Sequence, residues 1–319
     1  MRVATRGSKL ATYQTDIIIS SLKRIHKGFQ FKTEKISTQG DRDTRPFYAM
    51  NQTGVFEKEV NEKLLRYEAD FAVHSLKDLH AGISDKLVIA CIPKRERPND
   101  VFINNFDQKK LDQLVPNSII GTSSIRRAIQ IKTKYPHLKI KSIRGNIETR
   151  IRRSKENKFT GIILAEAGID RLKLNSQITQ RLSTNIFVPA PGQGALAIVC
   201  RKDSTEIIKI LKKIEHEKSS KEIVAERTIT ESIGAGCTVP LGALASIKTK
   251  EKVMSLSAIV YSIDGSKVVK VNKKLNLDNP QKLGRIVAKE LISKGAKELT
   301  KDWNNNTNMN IDILNELIE

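Results

Sequence analysis

The amino-acid sequence predicts an α/β protein with two α/β domains, followed by a smaller α+β domain with an antiparallel sheet. Its 319 residues are too many for one small core, so two or three domains are expected. Up to about residue 188, short apolar segments alternate with amphipathic ones, as strands and helices do in α/β layers. The last third instead has two β-rich runs around Asp264-Gly265, which is typical of a hairpin.

The first α/β domain is predicted from the alternation in residues 1–94. A helix with apolar residues on one face is expected from about Ser8 to a stop at Gly28. A second helix is expected over FEKEVNEKLLRYEA, and the polar segment QGDRDTRPFYAMNQTG before it is a long loop. The expected strands, in chain order, are RVATR, FQFKTEKIST, DFAVHSL and LVIACIP.

The same alternation continues in residues 95–188. Expected strands are SIIGTSS, LKIKSIRG and FTGIILAEAG, and expected helices are one from near Ser123, NIETRIRRSKEN and a short one around GIDRLKL. Strands that alternate with helices of this length predict parallel sheets. The segment NIFVPAPGQGALAIVCR has Pro and Gly between two apolar runs, which suits a crossing back to the first domain.

The third domain is predicted from a change of pattern. A helix over KEIVAERTITESIG is expected to end at Gly234, and one final amphipathic helix carries apolar residues from Leu283 to Leu299. We detect no internal sequence repeat.

The strongest feature of the composition is charge. The chain has 56 Lys and Arg against 35 Asp and Glu, a net charge of +21, which attracts polyanions. Hydrophobic and charged contents of 39% and 29% describe an ordinary globular protein. No apolar run is long enough to span a membrane, and no secretory signal is evident at the N-terminus. Three cysteines without a framework pattern favour a reducing compartment, so the cytoplasm is the expected location.

Charged or hydroxylic residues follow four of the predicted strands, at the sheet edge where α/β proteins bind ligands. The four stretches are TRGSKLA, HSLKD, GTSSIRR and RGNIETR. In GTSSIRR, a helix start and the guanidinium groups of Arg126 and Arg127 suit anionic ligands. The alternative is a capped helix with surface arginines, and the sequence leaves both open.

HSLKD supplies the acidic residue of this set, Asp78. In a cationic cleft its carboxylate should stay ionised and could stabilise a cation or pass a proton. The alternative is an ion pair with Lys77 or an arginine. His74 is interpreted as a structural residue of its strand.

Cys237 lies in the loop sequence GAGCTVPLGA. It has no CxxC partner and no neighbouring His, which disfavours a metal site or a redox pair. Cys91 and Cys200 lie among apolar residues, where a thiol usually behaves as a small buried hydrophobe.

Together the stretches TRGSKLA, HSLKD, GTSSIRR, RGNIETR, PAPGQGA and GAGCTVPLGA resemble, in this order, the hydroxymethylbilane synthase (porphobilinogen deaminase) family. The resemblance runs from residue 1 to about residue 300. It implies two domains like those of periplasmic binding proteins and a third that presents Cys237 to the cleft between them. We expect domain 1 to comprise residues 1–94 and 189–214, domain 2 residues 95–188, domain 3 residues 215–302, and a C-terminal extension residues 303–319.

The resemblance also implies the chemistry. A dipyrromethane cofactor would be bound to Cys237 through a thioether and serve as primer. Four porphobilinogen molecules would be deaminated and added one at a time, and hydrolysis would release hydroxymethylbilane. Asp78 corresponds to the catalytic aspartate of the family. The residues expected to bind cofactor and substrate carboxylates are Arg6, Ser8, Lys77, Thr122, Ser124, Arg126, Arg127, Arg144, Arg150 and Arg171.

The sequence departs from the family pattern at three places. The loop before Phe56 has Met50 and Thr53 near positions that commonly carry lysines, and His80 replaces the usual proline after HSLKD-Leu. The C-terminal segment IDILNELIE is additional and could form a short helix. The resemblance implies a monomer that needs no metal, nucleic acid or membrane.

Three alternatives stay open from the sequence. A nucleic-acid-binding or other polyanion-binding protein fits the charge but lacks a recognised motif and has only 5% aromatic residues. A solute-binding protein would need no Cys237. A family member with impaired catalysis is compatible with the altered loop.

Overall fold

The computed structural model describes residues 1–43, 54–80, 82–156, 159–234, 239–248, 250, 252–262, 264–276 and 279–304. Its strands are β1 (Arg2–Arg6), β2 (Lys32–Ile36), β3 (Phe71–Ser75), β4 (Leu87–Cys91), β5 (Asp100–Asn104), β6 (Ile119–Gly121), β7 (Lys139–Lys141), β8 (Gly161–Ala165), β9 (Gln180–Arg181), β10 (Leu196–Arg201), β11 (Leu241–Lys248), β12 (Val253–Tyr261) and β13 (Val268–Asn276). Its helices are α1 (Lys9–Ile25), α2 (Gln39–Arg42), α3 (Lys58–Leu65), α4 (Ile125–Lys134), α5 (Ile147–Glu156), α6 (Glu166–Arg171), α7 (Thr205–Lys212), α8 (Glu217–Ile233), α9 (Pro280–Ser293) and α10 (Ala296–Asn304).

Two five-stranded sheets share one topology. The first has the order β2-β1-β3-β10-β4 and the second the order β7-β6-β8-β5-β9. In each sheet the fourth strand is antiparallel to both of its neighbours, and it is the strand that arrives from the other half of the chain. The fold therefore repeats although the sequence shows no repeat. The prediction of parallel sheets is wrong for β5 and β10.

The chain crosses between the sheets twice, once from β4 to β5 and once from β9 to β10. The central strands are apolar on both faces because helices or loops cover each side, as in β3 (FAVHS) and β10 (LAIVCR). Strand membership supports the division that we propose, with residues 1–94 and 189–214 in domain 1 and residues 95–188 in domain 2.

The third sheet is antiparallel, with the order β11-β12-β13. The turn at Asp264-Gly265 joins β12 to β13, and Gly265 has a φ of +71° that glycine adopts easily. Helices α8 and α9 pack against this sheet. Ile129 of α4 belongs to the same buried cluster as Ile229 of α8 and Leu256 of β12, so the third domain, for which we propose residues 215–302, shares a core with the second.

Several predicted boundaries need correction. The final helix is two helices, α9 and α10, because Gly295 between them has a φ of +93° that a continuous helix cannot contain. Helix α1 ends at Ile25, before Gly28, and the predicted long loop begins with the short helix α2. Strands β5, β9 and β11 and helix α7 were not predicted. The additional segment IDILNELIE lies outside the described residues.

Among the described residues, no helix is both long and apolar enough to cross a membrane.

Candidate active site

A cleft of about 1080 Å³ lies between the first two sheets. The carboxyl ends of β1, β3, β6, β7 and β8 all lead to it, as expected for ligand sites in α/β sheets. Its volume is at the upper end of the range for ligand pockets, about 300–1,000 Å³. The predicted site residues that line the cleft are Arg6, Ser8, Lys77, Asp78, Ser124, Arg126, Arg127, Arg144, Arg150 and Arg171.

At the end of β1, Arg6 and Ser8 face the cleft. The Ser8 hydroxyl caps α1 by accepting a hydrogen bond from the Ala11 N–H at 3.2 Å. The Arg6 guanidinium pairs with the Asp41 carboxylate and lies over the Phe56 ring, 4.0 Å from its centroid. Burial alone would raise the pKa of Asp41, but its bonds with Arg6 and Thr38 outweigh this and lower it.

At the end of β3, a single 3₁₀ turn carries Lys77 and Asp78 into the cleft. The Lys77 ammonium donates to Gln193 Oε1 at 3.4 Å, and burial, reinforced by the charge of Arg127, lowers the pKa of Lys77 to about 8. His74 is buried and lies 3.0 Å from Asn61 Oδ1, and burial lowers its pKa to about 4. A neutral, internally bonded imidazole confirms that His74 is a structural residue.

Arg126 and Arg127 lie in the first turn of α4 and are only 5% and 6% exposed, so the interpretation as surface arginines is wrong. Both bind the carboxylate of Asp100 at the start of β5. Arg126 Nη2 lies 2.9 Å from Oδ2, and Arg127 Nη2 lies 2.7 Å from Oδ1. Burial alone would raise the pKa of Asp100, but the two guanidinium groups hold it well below its usual range.

Two hydroxyls of GTSSIRR, those of Thr122 and Ser123, bind backbone groups of the protein. Ser124 occupies the N-cap position of α4 without a side-chain cap bond, and its N–H donates to the Thr122 hydroxyl at 3.2 Å. Thr122 is buried and is not among the cleft-lining residues of the described chain, whereas Ser123 is. The predicted contact of Thr122 with a ligand stays a prediction.

Three further arginines lie in the loop and helices that follow strands β7 and β8 of the second sheet. Arg144 Nη2 donates to the Asp43 carbonyl at 3.0 Å, which links the two lobes. Arg150 Nε donates to the Gly145 carbonyl at 2.6 Å, and burial, with the charges of Arg127 and Arg144, lowers the pKa of Arg150 to about 10. Arg171 Nη2 donates to the Gly194 carbonyl at 2.8 Å.

Gln193, in the PAPGQGA stretch, was not predicted as a site residue although its motif was noted. It is fully buried, and its Nε2 donates to Asp100 Oδ1 at 2.9 Å. Its Oε1 accepts from Lys77 and from Arg127 Nη2, the latter at 3.3 Å. One amide thus connects the turn after β3 to the arginine cluster of the other lobe. Asp100 was also missed, although an acidic residue beside the apolar run VFI was a usable signal.

Cys237 lies outside the described residues, as do Met50 and Thr53. The nearest described residues on either side of Cys237 are Gly234 and Val239. Helix α8 ends at Gly234, which has a left-handed φ of 68°, and Thr230, Val239 and Leu241 line the cleft.

The residues of the cleft fit a ligand with several carboxylates. The Nε atoms of Arg6 and Arg171 are buried and have no hydrogen-bond acceptor among the described residues. A buried donor without a partner is costly, and ligand carboxylates would satisfy both. A dipyrromethane cofactor carries such groups, so its chemistry suits this donor set.

The fold and the cleft define a two-lobed α/β protein whose arginine-rich cleft is suited to a polyanionic small molecule. The family model described as "Porphobilinogen deaminase, dipyromethane cofactor binding domain" matches residues 1–209, and "Porphobilinogen deaminase, C-terminal domain" matches residues 220–293. This chain belongs to the porphobilinogen deaminase family, and the first of its two domain models is that of the dipyrromethane cofactor-binding domain.

Named relatives agree. The chain is 45% identical over 301 residues to the "Probable porphobilinogen deaminase" of Nitrosopumilus maritimus (strain SCM1), covering 94% of this chain and 96% of the relative. It is 38% identical to the porphobilinogen deaminase of Prochlorococcus marinus subsp. pastoris (strain CCMP1986 / NIES-2087 / MED4), covering 95% and 96%. It is 40% identical to that of Brevibacillus brevis (strain 47 / JCM 6285 / NBRC 100599), covering 93% and 96%.

Among solved structures, the chain is similar to the periplasmic VFT2 domain of Bordetella pertussis BvgS. The TM-score is 0.40 at 15% identity, over 72% of this chain and 92% of that one. The fold is therefore defined by the sheet topology described above and not by this similarity.

Proposed function

We propose that this chain is a deaminating transferase of tetrapyrrole biosynthesis that condenses four porphobilinogen molecules head to tail and releases hydroxymethylbilane. The observation that carries the proposal is the cleft itself, which Asp78 lines together with cationic residues of both lobes, and whose Lys77 and Arg150 interact with the charge of Asp78. Overall, four porphobilinogen molecules and one water give one hydroxymethylbilane and four ammonia molecules. Each porphobilinogen brings an acetate and a propionate, which explains a cleft rich in arginine.

Asp78 is the proposed catalytic residue. When ammonia leaves porphobilinogen, its C–N bond breaks and a positive charge develops on the methylene carbon and the pyrrole ring. A carboxylate fixed beside that ring stabilises the charge, because the attraction is strong where water is excluded. The new bond joins this methylene carbon to the unsubstituted ring carbon of the acceptor pyrrole, which then loses its proton. The position of Asp78 on the 3₁₀ turn after β3, among the residues that line the cleft, supports this role.

The proposed carboxylate-binding residues are those predicted from the sequence. Arg6 and Arg171 have buried donors directed to no protein acceptor in the described chain, so both are suited to a ligand carboxylate. Lys77 and Arg150 have lowered pKa values because burial disfavours their charge, and an approaching carboxylate would restore it. Arg126 and Arg127 bind Asp100 in this structure, so their contribution to ligand binding would be shared with that carboxylate.

Cys237 is the proposed attachment site of the dipyrromethane cofactor, which supplies the acceptor pyrrole that primes the condensation. The cleft residues Thr230 and Val239 on either side support this assignment. Burial raises the pKa of Cys91 to about 12 and of Cys200 to about 11, so neither thiol is poised to react. We further propose a monomeric, cytoplasmic enzyme whose partner is its small-molecule substrate, without nucleic acid, membrane or metal.

The test is an intact mass of the purified protein, peptide mapping around residue 237 and an assay of porphobilinogen consumption. The expected result is an excess mass of two linked pyrroles on Cys237, and loss of both adduct and turnover in Cys237→Ser. The matched control Cys91→Ala should keep the adduct. An unmodified Cys237 in protein that forms hydroxymethylbilane would refute the attachment site. Protein that carries the adduct but does not consume porphobilinogen would indicate an impaired family member.

A further inference from the structure

The turn that carries Asp78 is held by a hydrogen bond that depends on His80. The N–H of His80 donates to Glu57 Oε2 at 2.8 Å. Leu79, the residue before it, has a φ of −88° and a ψ of 121°, an extended conformation that a following proline also allows. A proline at position 80 would need no acceptor, because it has no N–H. A histidine there brings a donor that must be satisfied.

Glu57 is well suited to accept from this donor. It occupies the N-cap position of α3 but makes no side-chain cap bond to its own helix, so its carboxylate serves the neighbouring turn. The residue is only 7% exposed. Burial raises the pKa of Glu57, and the negative charge of Asp78 raises it further. The hydrogen bond from His80 and the charge of Arg227 lower the pKa, but they do not outweigh burial. The Glu57 carboxylate is thus close enough to Asp78 to interact with its charge.

The third domain holds the same turn from another side. Arg227 of α8 donates from Nη2 to the His80 carbonyl at 3.3 Å, and its Nη1 lies 3.5 Å from the Leu79 carbonyl. The backbone that follows Asp78 is therefore held at the His80 N–H by Glu57, at the start of α3, and at the Leu79 and His80 carbonyls by Arg227 of α8. Helix α8 is also the one that leads to Gly234 and the segment of Cys237.

We propose that Glu57 is a positioning residue for Asp78, which it fixes through the backbone N–H of His80. The Glu57–His80 pair replaces the rigidity that a proline would give the turn. The inference rests on the proposed function, since it concerns the efficiency of Asp78 in that reaction. It predicts a defect in turnover and not in substrate binding, because Glu57 lies behind the turn and is not among the described residues that line the cleft.

The test compares Glu57→Val with the double variant Glu57→Val/His80→Pro. Valine leaves the His80 N–H buried without an acceptor, which should lower kcat roughly ten- to a hundred-fold with KM little changed. Proline removes the donor, so the double variant should recover to within about threefold of the parent. Glu57→Gln keeps an acceptor and should also stay active. Glu62→Val, on the exposed side of the same helix, is the matched control.

Each outcome is informative when cofactor loading is measured by mass in every variant. Parent enzyme that does not consume porphobilinogen would refute the proposed function and leave the geometry of the turn unaffected. If the parent enzyme is active and the Glu57→Val variant is equally active, the positioning role is overturned. It is also overturned if the double variant carries its full cofactor but is no faster than Glu57→Val. If Glu57→Val alone is insoluble, the double variant must restore soluble, active protein. Failure of that restoration equally overturns the inference.

Discussion

Replacing Asp100 by asparagine removes the carboxylate that compensates two buried guanidinium groups. Arg126 and Arg127 are 6% or less exposed, and each lies within 3 Å of one Asp100 oxygen. Asparagine can still accept from Arg127 and Gln193 through Oδ1, but its NH₂ group would face the Arg126 donor. Breaking a buried ion pair by removing one partner costs about 3–5 kcal/mol, because the remaining charge stays desolvated.

This cost should appear as a lower unfolding temperature. With about 2.1 cal/mol/K of unfolding entropy per residue, a chain of 319 residues loses about 1.5 °C per kcal/mol, so about 3–5 kcal/mol corresponds to a fall of roughly 4–7 °C. The assay is differential scanning calorimetry or fluorimetry at one fixed scan rate, on protein with matched cofactor loading. The matched control is Asp107→Asn, whose carboxylate is 44% exposed and pairs with Lys109, and no measurable shift is expected there.

The pH dependence of this difference follows from the low pKa of Asp100. A carboxyl group whose folded pKa is depressed stabilises the fold above its unfolded pKa of about 3.9, and that contribution is lost as the pH falls through the folded value. The gap between parent and Asp100→Asn should therefore be constant between about pH 5 and 8 and narrow only below about pH 4. Equal unfolding temperatures at pH 7 would show that Asp100 does not hold the two arginines, and the reasoning would fail.

Three further predictions concern the cleft. The kcat/KM for porphobilinogen should decline above about pH 8 as Lys77 of the free enzyme loses its charge, and Lys77→Arg should move this decline to higher pH. An unchanged alkaline limb in the pH profile of kcat/KM would contradict this prediction. Asp78→Asn should keep the cofactor adduct but slow turnover by roughly 10²- to 10³-fold, measured by mass and by porphobilinogen consumption, and unchanged kinetics would remove its assigned role. Gly194→Ala should lose roughly 2–4 kcal/mol of stability, because Gly194 has a φ of +89° and a Cβ there would lie 2.5 Å from the Glu96 carbonyl oxygen. An unfolding temperature within about 1 °C of the parent in a thermal scan would refute this.

Much of the architecture could be predicted from local pattern. Strands such as β3 and β8 are apolar runs between polar segments. Helix α1 begins after its N-cap residue Ser8, α8 ends at its C-cap residue Gly234, and both caps can be read from the sequence. Strand β5 has a comparable apolar run, VFI, but its pairing could not be predicted in this way. It is five residues long, and its partner β8 lies about sixty residues further along the chain, so no local periodicity reveals the pairing. The break between α9 and α10 could have been predicted from the sequence, because Gly295 interrupts the helical pattern.

The site was predictable in its residue types but not in its pairings. The strand-end motifs brought Arg6, Lys77 and Asp78 to one edge, because parallel strands present their carboxyl ends together. The contacts of Arg126 with Asp100 and of Lys77 with Gln193 join residues that are 26 and 116 positions apart. The first pair depends on how β5 and α4 pack within the second lobe, and the second on the return of the chain to the first sheet. Neither arrangement has a local signal in the sequence.

The pairings explain how the cleft can be strongly cationic without being unstable. Asp100 compensates the two most buried arginines with one carboxylate, and Asp41 compensates Arg6. Lys77 is bound by a neutral amide instead, and its lowered pKa shows that this compensation is incomplete. The protein thus neutralises Arg126 and Arg127, and partly Arg6, within their own lobes and leaves positive charge at Lys77 in the cleft. Ligand carboxylates would complete that compensation, so ligand binding is expected to stabilise the folded protein.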